Sequence, residues 1–462
     1  MSFNIPKTDK KRVVIVGGGF GGLKLANRLR KSDFQVVLVD RNDYHQFLPL
    51  IYQVASAGIE PSSIAFPFRK LFQKRRNFYY RMAEVRSVFP SHKIIQTSIG
   101  KINYDYLVLA AGTTTNFFGN KDVADEAMPM KNVSEAMGLR NALLDNFERA
   151  LTCAGEQERQ ELLNVVIVGG GATGVEIAGA LSEMKSFVLP KDYPDLPQSL
   201  MHIYLIEAGP RLLSAMSPDS SAHVERYLRE MGVNVLLNKM VTDYRDHKVM
   251  LKDGSSIATR TFIWVSGVAA QPVGNLPASL LGRGGRIKVD EFNRVEGLDG
   301  VFCIGDQCIM EKGDKDYVGG HPQLAQVAIQ QGSLLADNLR RIEAGKAMKP
   351  FKYRNLGTMA TVGRNKAVAE FKKFNMDGFA AWLLWLVVHL RSILGVRNKI
   401  IVLFNWMWNY LSYSQSLRMI IYAKKAKEVI EREKRLASSH WGTDLMSEGA
   451  DKDAENRKMT EK

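Results

Sequence analysis

Two short glycine-rich segments have the clearest chemical capability in the sequence. GGGFGG spans residues 17–22 and GGGATG spans residues 169–174, and both have the spacing GxGxxG. In such a turn the first glycine permits a tight bend, the second lets the backbone approach a diphosphate, and the third lets a helix pack on a strand. The free N–H groups at the start of the following helix attract negative charge. Each segment therefore predicts a dinucleotide-binding site.

An acidic residue follows each glycine turn, at the end of the next predicted strand. Asp40 has this position after the first turn, and Glu207 has it after the second. A carboxylate there accepts hydrogen bonds from ribose hydroxyls and repels the 2′-phosphate of NADP. We expect the second site to select NADH, although Arg211 could weaken that selection. Two such sites indicate one bound redox cofactor and one diffusing one, usually a flavin with NADH.

Strands and helices must position both turns, and the hydrophobic pattern predicts them. β-branched runs predict buried strands, and the stretch after each glycine turn has helical composition. Strands are expected at 12–16, 35–39, 106–110, 165–168, 202–206, 261–265 and 301–304. Helices are expected at 23–30, at 175–184 and from Pro322 to about Glu343, with a surface loop at 185–200. The predicted fold class is α/β, with two Rossmann-like dinucleotide-binding domains.

These features resemble the two-dinucleotide-binding flavoproteins, which have a glutathione-reductase-like fold. Further marks are LAAGT at 109–113, IGD at 304–306, AEV at 83–85 and FIWVSG at 262–267. The resemblance implies noncovalent FAD, and NADH as the substrate. It assigns FAD contacts to Gly17, Gly18, Gly19, Phe20, Gly21, Gly22, Asp40, Arg41, His45, Val85, Gly112, Asp306 and Ala325. It assigns NADH contacts to Gly169, Gly171, Gly174, Glu176, Glu207 and Gly267.

A third motif, AQVAIQ at 325–330, narrows the resemblance. It places Gln326 and Gln330 one turn apart on one helix face. Together with His45 and LPLIYQVA at 48–55, it closely resembles the type II (alternative, non-proton-pumping) NADH:quinone oxidoreductases. The resemblance implies hydride transfer from NADH to FAD and two electrons on to a quinone. It puts both glutamines beside the quinone and the catalytic Glu176 at the junction of nicotinamide and flavin.

The cysteines bear on two rival enzymes. Disulfide reductases need two cysteines beside the flavin, but Cys303 and Cys308 flank the Gly-Asp turn, and Cys303 stands in an apolar strand. A buried structural thiol is the simpler interpretation, and it also opposes a sulfide:quinone oxidoreductase. A soluble NADH-dependent reductase of the ferredoxin or rubredoxin type stays open, as does a nucleotide-sensing protein. No metal site is expected.

The C-terminal region combines interfacial aromatics with basic residues. A first stretch has residues that recur at helical spacing, namely Trp382, Trp385, Leu386, His389, Leu390, Ile393 and Leu394. A second stretch, at 400–411, adds Trp406, Trp408 and Tyr410. Basic neighbours are Arg391, Arg397, Lys399, Arg418, Lys424, Lys425 and Lys427. No apolar run reaches the roughly 20 residues of a membrane span, so helices lying on an anionic lipid surface are predicted. A dimer interface or buried hairpin is the alternative use of these residues, and a homodimer is possible.

The overall charge fits the same prediction. The net charge is +15, and no recognised nucleic-acid motif accompanies it, so nucleic acid is the weakest explanation. The N-terminal residues have no secretory signal pattern. A peripheral enzyme on the cytoplasmic face of a bacterial inner membrane is expected. The expected domains are 1–115 and 299–350 for FAD, 116–298 for NADH, 351–440 for anchoring or dimerisation, and 441–462 as a disordered polar tail.

Overall fold

The first of two parallel sheets contains the first glycine turn. A computed structural model describes residues 5–412 and 418–420 of the chain. The strand order in this sheet is Val301–Cys303, Tyr106–Leu109, Arg12–Val16, Gln35–Asp40 and Phe78–Met82. Helices Phe20–Arg28 and Ala325–Glu343 pack against each other beside it. The central strand is buried because both faces of the sheet are covered.

The second parallel sheet contains the second glycine turn. Its strand order is Met128–Pro129, Thr261–Trp264, Val165–Val168, Ile203–Ile206 and Val233–Leu236. Its main helices are Val133–Thr152, Ala172–Glu183 and Pro218–Glu230. Two antiparallel strands, Thr113–Thr115 and Val268–Ala270, connect the two units. The predicted fold class of two Rossmann-like units is confirmed.

Short helices and small sheets complete this part of the chain. The remaining helices are Ile51–Ala55, Pro61–Ile64, Phe68–Leu71, Lys121–Glu126 and Glu156–Leu163. The small antiparallel sheets are Tyr44–Gln46 with Ala65–Pro67; Val85–Phe89 with Ile94–Thr97 and Gly100–Asn103; and Val241–Arg245 with Lys248–Leu251 and Ser256–Ala258. Ile287–Lys288 pairs in parallel with Cys308–Ile309.

The prediction of a surface loop at 185–200 was wrong for the first half of this segment. The chain continues as a π-helical turn, Met184–Val188, and a short helix, Leu189–Asp192. Val188, Leu189 and Leu196 are buried, so the segment contributes to the core. Pro190 does not prevent a helix here, because it stands in the first turn. A residue in the first turn of a helix does not need the backbone N–H that proline lacks.

The region at 351–440, expected to serve for anchoring or dimerisation, begins with a small sheet. Strands Thr358–Gly363, Lys366–Glu370 and Asn375–Asp377 form an antiparallel sheet on helix Ala172–Glu183. The approach is so close that a Cβ on Gly179 would lie 1.5 Å from the carbonyl oxygen of Val362. These residues therefore belong to the body of the protein.

Two helices follow this sheet, and we call them the C-terminal hairpin. They are Gly378–Ser392 and Val396–Ser412, and Gly395 turns the chain between them with a φ of 78°. Within the described residues, the structure contains no helix with the length and apolarity to cross a membrane. The basic residues Lys424, Lys425 and Lys427 and the predicted tail at 441–462 lie outside the described residues.

Candidate active site

The first glycine turn has the geometry of a phosphate-binding loop. A Cβ on Gly17 would lie 2.3 Å from the Ala110 carbonyl oxygen, and one on Gly22 would lie 1.9 Å from that of Gly17. A Cβ on Gly19 would meet nothing within 4 Å. The outer two glycines therefore allow close packing. The middle one leaves space in front of the N-terminus of helix Phe20–Arg28, which has no side-chain cap.

This turn borders a cavity of about 970 Å³, which we call the dinucleotide cavity. Most residues predicted to contact FAD lie along it: Gly17, Gly18, Gly19, Phe20, Gly21, Asp40, Arg41, His45, Val85, Gly112, Asp306 and Ala325. Gly22 instead packs beneath the turn. These residues come from segments as distant in sequence as Gly17 and Ala325, and the first sheet brings the segments to one edge.

Two polar groups support the fit of a large, partly anionic cofactor in this cavity. Asp306 lies along it, and burial raises the pKa of its carboxyl although Lys131 opposes that shift. The Lys131 ammonium donates to Thr113 Oγ1 at 2.9 Å, and burial lowers its pKa. Helix Ala325–Glu343 also points an N-terminus without a side-chain cap at the cavity. The residues present therefore fit FAD.

Asp40 and His45 hold the first turn in place. Asp40 accepts the N–H of Gly18 at 2.6 Å and that of Asn42 at 2.8 Å, while burial raises its pKa. His45 Nδ1 lies 2.9 Å from the Gly18 carbonyl oxygen, and burial lowers the pKa of the imidazole. A neutral ring with its proton on Nδ1 can donate this bond. Phe20 meets the ring edge-on at 5.4 Å.

The second glycine turn repeats the first. A Cβ on Gly174 would lie 1.9 Å from the Gly169 carbonyl oxygen, whereas one on Gly171 would meet nothing within 4 Å. Glu207 accepts the N–H of Gly170 at 2.6 Å, as Asp40 does in the first unit.

Arg211 does not approach Glu207 as a free cation. Its guanidinium donates to the carbonyl oxygens of Met216 at 2.7 Å and Ser214 at 2.8 Å. The loop at residues 214–216 therefore holds the Arg211 side chain, and the preference of the second site for NADH stays a prediction.

Glu176 links the dinucleotide cavity to a second one. The second space, the apolar cavity, measures about 350 Å³ and lies between helix Ala172–Glu183, strand Thr358–Gly363 and the C-terminal hairpin. Glu176 borders both cavities. Burial raises the pKa of its carboxyl to about 8, although a backbone hydrogen bond from Thr361 opposes the shift. The group is therefore mostly protonated at neutral pH.

Aromatic side chains join the hairpin to the body around the apolar cavity. Trp406 Nε1 donates to Gln53 Oε1 at 2.9 Å, and Gln53 Nε2 donates to the Tyr52 hydroxyl at 2.9 Å. Trp385 is 1% exposed and stacks on His389 at 4.0 Å between ring centroids. The inner face of the hairpin is thus fixed by packing and hydrogen bonds.

The outer wall of the same cavity is open to the surface. Its lining includes Leu383, Val387, Leu403 and Met407, which are 41–57% exposed. Other exposed apolar side chains on the hairpin are Phe379, Val388, Val396, Ile400, Phe404, Trp408 and Leu411. A patch of this extent on a soluble surface marks an interaction site.

Gln326 and Gln330 lie four positions apart in helix Ala325–Glu343, as the sequence predicted, and both amides have backbone partners. The Gln326 amide donates to the Gly357 carbonyl oxygen at 3.0 Å and accepts the N–H of Leu356 at 2.9 Å. The Gln330 amide pairs in the same way with Arg354, at 2.8 and 3.0 Å. Neither lines the dinucleotide cavity or the apolar cavity. Both amides bind the backbone of residues 354–357, and their contact with a quinone stays a prediction.

Sequence reasoning also missed several cavity residues. Lys131 and His389 line the dinucleotide cavity from the second unit and the hairpin. Burial lowers the pKa of His389 to about 4. Buried Gln307 accepts the N–H of Ala111 at 2.8 Å and donates to the Gln271 carbonyl oxygen at 2.8 Å, so it joins two walls. In the sequence, a residue such as His389 could have been noticed only because it is polar and stands in an apolar stretch.

The two central cysteines are buried beneath the Gly-Asp turn. Cys303 and Cys308 are 0% and 2% exposed and are free thiols. Burial raises the pKa of the Cys303 thiol well above its usual value. The protonated, enclosed thiol of Cys303 is a poor nucleophile, in agreement with the structural role that the sequence predicted for it.

The fold and the paired turns define a flavoprotein class with two dinucleotide sites, and comparison gives the family. The model for the pyridine nucleotide-disulphide oxidoreductases matches residues 11–332, and the NDH2 C-terminal domain matches residues 355–413. A type II NADH:quinone oxidoreductase of Mycobacterium tuberculosis is 33% identical over 445 residues, 92% of this chain and 93% of that protein. The chain belongs to the type II NADH:quinone oxidoreductases.

Other relatives agree with this assignment. A type II NADH:quinone oxidoreductase of Haemophilus influenzae is 33% identical and covers 78% of this chain and 87% of its own length. The structure of Plasmodium falciparum NDH2 in complex with NADH has a TM-score of 0.82 at 20% identity, covering 89% of this chain and all of that chain. A sulfide:quinone oxidoreductase of Aquifex aeolicus has a TM-score of 0.65 at 18% identity, which reflects the shared fold.

Proposed function

We propose that this enzyme passes two electrons from NADH through FAD to a quinone held in the apolar cavity. The observation that carries this proposal is the position of Glu176 in the walls of both cavities. A quinone head group at the inner end of the apolar cavity would be separated from the flavin site by little more than this side chain. Below pH 8 the neutral carboxyl of Glu176 can donate to a quinone oxygen as it becomes more negative.

The glycine turns supply the binding geometry for the other two reactants. Bound FAD supplies the two-electron carrier chemistry. In our proposal the first turn and Asp40 bind its diphosphate and ribose, Asp306 binds near the ribityl chain, and the second turn with Glu207 binds NADH. Trp385 and His389 close the cavity wall on the hairpin side and exclude water from the reaction.

The open wall of the apolar cavity supports attachment to lipid. The cavity mouth and the exposed hairpin surface share Leu383, Val387, Leu403 and Met407. An apolar quinone could then enter from a bilayer without crossing water. We propose a peripheral enzyme at the cytoplasmic face of a bacterial membrane, with the hairpin as the lipid contact and, as the second use of that surface, a homodimer interface.

A residue that narrows the apolar cavity tests the proposed quinone site. Ala180 lines the cavity on helix Ala172–Glu183. We expect Ala180→Leu to slow flavin reoxidation by a short-chain quinone by about tenfold or more, because the added atoms occupy the space of the head group. Stopped-flow reduction by NADH, and reoxidation by ferricyanide, should be unchanged. The matched control is Ala222→Leu on an exposed helix position. If quinone reoxidises the flavin at the same rate in both variants, the quinone binds somewhere other than the apolar cavity.

A further inference from the structure

Quinone reduction by NADH needs a proton that the nicotinamide does not bring. In the balanced reaction, NADH, quinone and one H⁺ give NAD⁺ and quinol. The hydride from NADH supplies two electrons and one of the two protons. The second proton must come from solvent. The apolar cavity has mainly apolar walls, and Glu176 borders it on the side of the dinucleotide cavity. A path for this proton must therefore include polar groups near Glu176.

Glu183 is such a group, and it lies on the same helix as Glu176. The two residues are seven positions apart in helix Ala172–Glu183, which corresponds to two turns and a rise of about 10 Å. Residues at this spacing share one helix face, and both side chains border the apolar cavity. The Glu183 carboxylate accepts the backbone N–H of Arg364.

Charged and titratable groups of the packed elements surround Glu183. Arg364 and Lys366 of the three-stranded sheet favour the charged form of its carboxyl, while burial raises its pKa as the larger effect. Tyr52, from helix Ile51–Ala55, borders the same cavity, and burial raises the pKa of its hydroxyl well above its usual value. The Lys366 ammonium lies 3.3 Å from the half-exposed carboxylate of Glu230.

We propose that Glu183 relays the solvent proton to Glu176 during quinone reduction. This inference rests on the proposed quinone site. As two electrons reach the quinone, the O–H bond of Glu176 breaks and its proton joins a quinone oxygen. The Glu176 carboxylate is reprotonated from Glu183 along the cavity wall that both residues border. Glu183 regains a proton from solvent at the surface formed by Lys366 and Glu230.

The test compares an acceptor that needs protons with one that does not. In Glu183→Gln, reoxidation of NADH-reduced enzyme by a short-chain quinone should be slowed by about tenfold or more, and its solvent isotope effect in D₂O should increase. Ferricyanide takes up electrons without protons, so its rate should be unchanged, as should flavin content and reduction by NADH. Glu183→Asp, which keeps a carboxyl, should recover part of the quinone rate. Glu156→Gln, at an exposed helix start, is the control.

The outcomes separate this inference from the proposed site. Suppose that Ala180→Leu slows flavin reoxidation by quinone while Glu183→Gln keeps the wild-type reoxidation rate and solvent isotope effect. The proton relay would then be wrong, and the proposed quinone site would still hold. If Ala180→Leu has no effect, the quinone site itself is wrong. Equal slowing with quinone and ferricyanide in Glu183→Gln would show a general disturbance of the flavin site and would also overturn the relay.

Discussion

At the scale of single residues, acidic side chains have different roles that depend on their surroundings. Asp40 and Glu207 each accept the N–H of the second residue of a glycine turn and fix the loop. Glu176 has no such role. Burial between two cavities raises its pKa to about 8, and this makes a carboxylic acid available as a proton donor at neutral pH.

The pH dependence of the quinone half-reaction should report Glu176. The protonated form exists below its pKa, so reoxidation by quinone should be fastest below about pH 8 and fall as pH rises through that value. Glu176→Gln cannot transfer a proton, and we expect a rate about a hundredfold lower without this pH dependence. Stopped-flow reoxidation from pH 6 to pH 10 measures both. A wild-type rate that increases between pH 7 and pH 9 would contradict the assignment.

Nucleotide preference should depend on Glu207. Its carboxylate repels the 2′-phosphate of NADPH, and Arg211 is held by the loop at Ser214 and Met216. We expect NADH to be favoured over NADPH by about tenfold or more in kcat/KM, and Glu207→Gln to narrow the ratio. Steady-state kinetics with both nucleotides provide the measurement. A wild-type enzyme that uses them equally would show that the second turn was misassigned.

At the scale of elements, helix Ala325–Glu343 borders the dinucleotide cavity at its N-terminus and also holds the chain that follows it. Gln326 and Gln330 pair with the backbone of residues 354–357, and Asn338 pairs in the same way with Lys349, at 2.8 and 2.9 Å. This attachment directs the chain to the three-stranded sheet, which covers helix Ala172–Glu183. The glutamines therefore support both cavities indirectly, by fixing the path of the chain between the flavin unit and the hairpin.

At the scale of the whole molecule, one surface combines substrate access with attachment. The hairpin buries Trp385, Ile393 and Val402 against the body and leaves its other face apolar and exposed. Burying that face in a bilayer gains free energy in proportion to its area.

Charged substitutions on the exposed face of the hairpin should abolish binding to lipid. Phe404 and Leu411 are 64% and 78% exposed and do not line the apolar cavity. We expect the double variant Phe404→Glu, Leu411→Glu to reduce co-sedimentation with vesicles of phosphatidylcholine and phosphatidylglycerol by about tenfold or more. Val318→Glu with Met240→Glu, on exposed apolar positions elsewhere, is the control. A change from dimer to monomer with unchanged vesicle binding would instead identify a dimer interface.

The sequence by itself determined the two glycine turns, the acids that follow them and the order of strands around them. These features are local: a φ of 102° at Gly17 or a 1.9 Å approach at Gly22 restricts the residue type at that position, so the pattern is visible in the letters. The apolar hairpin was visible too, since its periodicity is that of a helix.

Only the tertiary structure decided which polar groups meet. Glu176 borders two cavities because strand Thr358–Gly363 and the hairpin, about 200 residues later, pack on its helix. The spacing of Gln326 and Gln330 predicted that they share one helix face. It did not predict that the backbone of residues 354–357 packs on that face and binds both amides. Amide side chains bind backbone and substrate equally well, so their partner depends on which chain segment packs against them, and that is set by contacts between distant residues.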